Sequence, residues 1–200
     1  MNSGAIILAA GSSSRMGQSK QMLDINGEKL LVKTIQTVLQ AGISKVAVVL
    51  GSDEDRHRQM LKGLPVDIVN NLHWKNGMGG SIKAGLLHLT SKYPLLEVVI
   101  VSVCDQPLLT SENISALISK YQQTKKPVVA SRYSNMPGVP VLFHKSYFEK
   151  LTTLPDDQGA RKIILQNPLD AAEVEFYGGE VDLDTKEDYE NFLDDTIDRT

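Results

Sequence analysis

The chain has 200 residues, a single cysteine and a formal charge of −3, with 42% apolar and 22% charged residues. That size suits one domain with a real core, and the charge argues against nucleic acid as a main partner. Cys104 alone excludes an internal disulfide and fits a reducing compartment. With no signal-peptide n-region and no apolar run near the ~20 residues that span a bilayer, a cytoplasmic protein without a membrane partner is expected.

Residues 5–10 form a short apolar run, read as a strand buried on both faces. The run breaks into Gly11, three serines, Arg15, Gly17 and Lys20. Glycine admits a ligand close to the backbone. Serines and free amides donate to phosphate oxygens, and Arg15 and Lys20 add charge. The plain alternative is a solvated Gly/Ser turn, which the preceding strand and the Arg-x-x-x-x-Lys spacing disfavour. The Walker spacing is excluded, because five residues separate Gly11 from Gly17 and Gln18 follows.

Residues 30–40 carry apolar residues at helical spacing and stop near Gly42. Residues 46–50 read as a second buried strand, 54–61 as a polar helix and 66–70 as a third strand. A glycine-rich stretch, Gly77-Met78-Gly79-Gly80, then opens a helix at 81–89 with Ser81 as the expected N-cap. Such an approach to a helix N-terminus is a second natural anion site. Trp74 beside it is expected to pack rather than to serve as a ligand platform.

Residues 97–102, the most β-branched run, predict a central strand ending in Cys104-Asp105-Gln106-Pro107. A carboxylate at the carboxyl end of such a strand points into the crevice where open α/β sheets bind ligands. Thr110 or Ser111 caps the next helix, and 128–131 and 141–143 read as strands around an irregular stretch, 135–140. Residues 145–151 and 162–166 read as short helices, and 174–177 and 181–183 as short strands. A Thr185/Asp188 capping box starts the last helix, and an acidic tail, 194–200, is expected to fray. Strands alternating with helices predict an α/β fold, a mostly parallel sheet with helices on both faces. The four histidines, His57, His73, His88 and His144, lack metal-ligand spacing.

The stretch Leu8-Ala9-Ala10-Gly11-x-Ser-x-Arg15-Met-Gly-x-x-Lys20 resembles the signature of nucleotidyltransferases acting on sugar phosphates, isoprenoid precursors and molybdopterin. With Asp105-Gln106-Pro107, Gly138-x-Pro140-Val-Leu-Phe, Asp157-x-Gly-Ala-Arg161 and Val181-Asp182-Leu-Asp184-Thr, the chain is similar to the molybdenum cofactor cytidylyltransferases of the MobA-like family over residues 5–193. The resemblance implies a single Rossmann-like nucleotidyltransferase domain over 1–200, with a nucleotide part at 5–107 and an acceptor part at 108–193. It implies CMP transfer from CTP to molybdopterin or the molybdenum cofactor, with a molybdoenzyme or its maturation chaperone downstream. Arg15, Lys20 and Asp105 would be catalytic. Leu8, Ala9, Ala10, Gly11, Ser12, Ser14, Gly79, Gly80 and Ser81 would bind nucleotide. Gln106, Pro107, Gly138, Pro140 and Arg161 would face the acceptor. Asp105 would hold Mg²⁺ with Asp182, or with Asp184 as the fallback. Ala10, where guanylyltransferase relatives carry glycine, favours CTP over GTP by resemblance. Met22, Asp24 and Asp156 depart from the family pattern and leave the acceptor open. The rival readings are cytidylyl transfer to a sugar or polyol phosphate, and a non-catalytic CTP or cofactor binder.

Overall fold

The computed structural model describes residues 1–197. Strand β1 (Ser3–Ala9) is followed by a long loop and a small hairpin, β2 (Asp24–Ile25) and β3 (Glu28–Lys29). Helix α1 (Leu30–Gln40) leads to β4 (Lys45–Leu50), α2 (Glu54–Met60) and β5 (Asp67–Asn70). Then come α3 (Met78–Lys92), β6 (Val98–Val103), α4 (Ser111–Thr124), β7 (Val128–Tyr133) and β8 (Met136–His144). The chain continues through α5 (Phe148–Thr152), α6 (Ala160–Gln166), β9 (Ala171–Glu175) and α7 (Lys186–Ile197).

Seven strands form one sheet in the order β5-β4-β1-β6-β8-β7-β9. All neighbours are parallel except β8, which runs against both β6 and β7. Alternation along β1 divides its side chains between two cores. Ala5, Ile7 and Ala9 join Leu31, Ile35 and Leu117 on one face, while Ile6 and Leu8 meet Ile82, Leu86 and Ile163 on the other. Helices α1 and α4 therefore cover one face, and α3, α5 and α6 the other.

The chain winds outward from β1 through β4 to β5, then returns to β6 on the opposite side of β1. The loops after β1 and β6 diverge at this switch point and leave a crevice at the carboxyl ends of the strands.

Five stretches differ from the sequence reading. Helix α3 starts at Met78, so Ser81 is buried inside it and is not its N-cap. The cause is tertiary: Gly77 and Gly79 press against the backbone of residues 155–158, where a Cβ would overlap the Asp156 or Pro155 carbonyl oxygen. Gly79 N–H donates to Asp156 O at 2.9 Å. Residues 135–140 belong largely to β8, which hairpins with β7 through Ser134 and Asn135, both at positive φ. Prolines at 137 and 140 and Gly138 hide that strand from a propensity reading. Residues 181–183 form no strand, and β9 ends at Glu175 instead of reaching Tyr177. Of the expected frayed tail, residues 194–197 are helical, and the rest lies outside the described residues.

Candidate active site

The loop after β1 owes its shape to two left-handed residues, Ser13 at φ 51° and Gly17 at φ 72°. Both Gly11 and Gly17 have open space where a Cβ would stand, so room is left for a ligand there. Met16 plugs the loop into a small apolar cluster with Leu23, Ile25, Leu30 and Leu183, against which Tyr189 and Phe192 of α7 pack. That cluster brings the C-terminal segment to the loop. The predicted capping box is present: Thr185 N–H donates to Asp188 Oδ2 at 2.8 Å, and Asp188 N–H donates to Thr185 Oγ1 at 3.1 Å. Asp184 is held just before this cap.

Lys20 occupies the centre. Its Nζ lies 2.6 Å from Asp105 Oδ2 and 2.8 Å from Asp184 Oδ1, and Arg15 Nη2 reaches Asp184 Oδ2 at 3.0 Å. Burial alone would lower the Lys20 pKa, but the Asp105 charge and the two hydrogen-bonded carboxylates outweigh it and hold the ammonium well above the usual lysine range. The hydrogen bond from Lys20 keeps the Asp184 carboxyl below its ordinary range. Asp182 makes no ion pair among the described residues. Burial, followed by the charges of Asp105 and Asp184, pushes its pKa up to about 6. Two carboxylates, Asp105 and Asp184, thus share one ammonium and one guanidinium, with Asp182 beside them and unpaired among the described residues.

A cavity of about 350 Å³ opens beside this cluster. Its walls include Leu8, Ala9, Ala10, Gly11, Ser12 and Lys20 from the first loop, Trp74 and Ser81, and Cys104 and Asp105 after β6. The expected residues Gly79 and Gly80 serve α3's docking on residues 155–158 instead of lining it. Ser14 lines a second hollow outside the loop, with Lys29 and Arg56. Trp74 both packs, over Gly51, and walls the cavity. Cys104 is buried, and burial followed by the Asp105 charge pushes its thiol up to about 12, so it stays protonated.

The Asp105-Gln106-Pro107 turn is braced from both sides. Buried Gln106 donates to Gly179 O at 2.7 Å and Val139 O at 3.3 Å, and its Oε1 has no protein partner among the described residues. Lys33 donates to Pro107 O at 2.7 Å. Tyr133 stands beside this turn, wedged so tightly that a Cβ on Gly138 would overlap its hydroxyl. The charges of Asp182 and Arg161 reach its phenol. Gly138 and Pro140 are buried around it, while Arg161 is exposed on the first turn of α6 and pairs with no carboxylate among the described residues. Lys33, Tyr133, Gly179 and Gln21 were missed by sequence reasoning. No sequence signal singles them out, because each is brought to the site by packing.

Residues 5–172 match the MobA-like NTP transferase domain. The chain belongs to that family. Its relatives include the nicotine blue oxidoreductase of Paenarthrobacter nicotinovorans, 28% identical over 82% of this chain and 81% of that protein. The molybdenum cofactor cytidylyltransferase of Escherichia coli is 25% identical over 92% of both chains. A crystal structure of Rv0371C from Mycobacterium tuberculosis in complex with manganese shares the fold, with a TM-score of 0.77 and 22% identity over 97% of this chain and 99% of that one.

Proposed function

We propose that this member of the family is a Mg²⁺-dependent cytidylyltransferase that moves CMP from CTP to the terminal phosphate of molybdopterin or its molybdenum-loaded form. The observation that carries the reading is Lys20, held between Asp105 and Asp184 at the mouth of the cavity lined by the first loop. The cation is preset where triphosphate charge would arrive. The name of the Escherichia coli relative supports the acceptor and the base, and the resemblance of Leu8-Ala9-Ala10-Gly11 to the cytidylyltransferase pattern favours CTP.

In this reaction a phosphate oxygen of the acceptor bonds to the α-phosphorus of CTP. The bond from that phosphorus to the bridging oxygen breaks, and pyrophosphate leaves with the electron pair. No protein nucleophile is required, because positioning and charge neutralisation carry phosphoryl-type transfer. Lys20 and Arg15 exchange carboxylate partners for phosphate oxygens, and Arg161 with the Gln106–Tyr133 corner faces the acceptor.

The carboxylate set fits a hard divalent ion. Asp182 is raised by burial first and then by the charges of Asp105 and Asp184, and a bound cation would relieve the second of these. Magnesium takes one or two carboxylates and completes its shell with water and phosphate oxygens, consistent with no preassembled three-ligand group among the described residues. Asp105 and Asp182 would hold it, leaving Asp184 to Lys20 and Arg15. Bound there, it would neutralise triphosphate charge. A manganese complex of a protein of this fold supports a divalent ion.

The test is pyrophosphate release with Mg²⁺ and CTP, GTP, ATP or UTP, each with and without molybdopterin. Release confined to CTP plus pterin is expected. Release with CTP and a sugar or polyol phosphate moves the protein to that branch, and tight CTP binding without release makes it a binder.

A further inference from the structure

Behind the first loop runs a line of buried and half-buried polar groups that ends on the backbone of the cavity wall. His57 of α2 is fully buried and Gln21 nearly so. The imidazole Nε2 lies 2.7 Å from Ser19 Oγ, and Ser19 Oγ lies 2.8 Å from Gln21 Oε1. Gln21 Nε2 donates to Ala9 O at 3.0 Å and Gly11 O at 3.1 Å, the carbonyls that flank Ala10. Ser13 Oγ donates to the same Gln21 Oε1 at 3.3 Å and accepts from Lys20 N–H at 3.0 Å.

Proton counting fixes the direction of this line. Gln21 must present its NH₂ to the two carbonyls, so its Oε1 faces Ser19 and Ser13 and only accepts. Ser19 has one hydroxyl hydrogen, and Oε1 at 2.8 Å requires it, because otherwise two oxygen lone pairs would oppose each other. His57 must therefore donate from Nε2–H. Burial lowers the pKa of the ring, so it is neutral at pH 7 and a single tautomer satisfies the line. Donors then run from His57 through Ser19 and Gln21 to the Ala9 and Gly11 carbonyls at both ends of the loop's first turn, and a second line enters Gln21 Oε1 from the Lys20 N–H through Ser13 Oγ.

We propose that His57, Ser19 and Gln21 are positioning residues that hold the first loop in its ligand-ready shape, so that the buried imidazole tautomer sets nucleotide affinity. The affinity half of this rests on the nucleotidyltransferase reading, and the loop-geometry half does not. The line matters because Ala10 and Gly11 wall the cavity, and Lys20 can meet both carboxylates only with its own backbone fixed. Chained hydrogen bonds in a low-dielectric interior reinforce one another, so breaking one link loosens those beyond it.

The experiment uses the whole chain with three readouts: nitrogen NMR of the His57 ring, amide hydrogen exchange at Met16 and Lys20, and CTP affinity with Mg²⁺ by calorimetry. The ring should be protonated at Nε2. Ser19→Ala and His57→Phe should speed exchange at Lys20 and weaken CTP each by about tenfold, in line with the net loss of one or two buried hydrogen bonds. With turnover, KM for nucleotide should rise while kcat stays within about twofold, the sign of a ground-state positioning role. His57→Gln, whose Nε2 reaches a similar point, should recover most of both losses, and Gln21→Glu should lose both. A ring protonated at Nδ1 alone would overturn the proposal. So would Ser19→Ala lowering only the melting temperature while loop exchange and affinity stay at wild-type values. If the wild type binds no nucleoside triphosphate, the nucleotidyltransferase reading falls, and the exchange data still decide the line.

Discussion

The two halves of the sheet reach the same crevice by different routes. On the β5-β4-β1-β6 side every pair is parallel, and the cavity-facing loop is one contiguous run from Leu8 to Lys20. On the β8-β7-β9 side β8 runs against both its neighbours, the register shifts between Ala130 and Ser131, and the corner gathers Gln106, Tyr133, Gly138 and Gly179 from separate segments. A strand followed by its own loop writes its function into adjacent residues. An assembled corner spreads it over seventy-odd residues, as the bond from Gln106 to Gly179 shows, and depends on packing to bring it together. The first half is therefore expected to fail through lost charge, and the second through lost shape.

The largest test of that contrast is Lys20→Ala. It removes the ammonium shared by Asp105 and Asp184 and should cost about a thousandfold in kcat/KM, or ~4 kcal/mol of barrier, measured by pyrophosphate release. A loss below tenfold would move the central role to Arg15.

Two glycine substitutions separate the halves by shape. Gly79→Ala drives a methyl into the Pro155 carbonyl oxygen, which is backbone and yields poorly. It should lower unfolding free energy by ~1–3 kcal/mol in urea titrations and weaken nucleotide binding as α3 lifts from residues 155–158. Gly138→Ala meets the Tyr133 hydroxyl and ring instead. It should raise KM for the acceptor while leaving CTP affinity at its wild-type value, and an equal loss for both substrates would dissolve the division into halves.

The same contrast explains what the sequence revealed. The loop after β1 and Asp105 were legible because a buried strand, its glycine and its first charges lie within a few residues. The Thr185/Asp188 cap was legible for the same reason. The start of α3 was not, because two glycines that disfavour a helix are there to let its first turn meet residues 155–158, a partner nearly eighty residues away. Strand β8 was hidden by Pro137 and Pro140, whose missing donors argue against a strand until β7 and β6 supply the pairing. His57 looked like one of four scattered histidines. Only burial against Ser19 gives it a purpose.

Asp182→Asn gives the smallest and most pointed effect. Its pKa rises from 3.8 to about 6, through burial first and then through Asp105 and Asp184. Between those values the folded state holds more protons than the unfolded chain, so stability falls as pH rises through this window, and the penalty is complete above about pH 6. The asparagine variant should be indistinguishable from wild type below pH 4. Above pH 6 it should be more stable by less than ~1 kcal/mol, since the group is solvent-screened; urea midpoints at the two pH values read the difference. A carboxylate kept at a cost to stability points to a use for its charge, so Mg²⁺-dependent turnover should fall as stability rises. If turnover survives the substitution, Asp184 takes over the metal, and Lys20 must then give up both carboxylates for the phosphates.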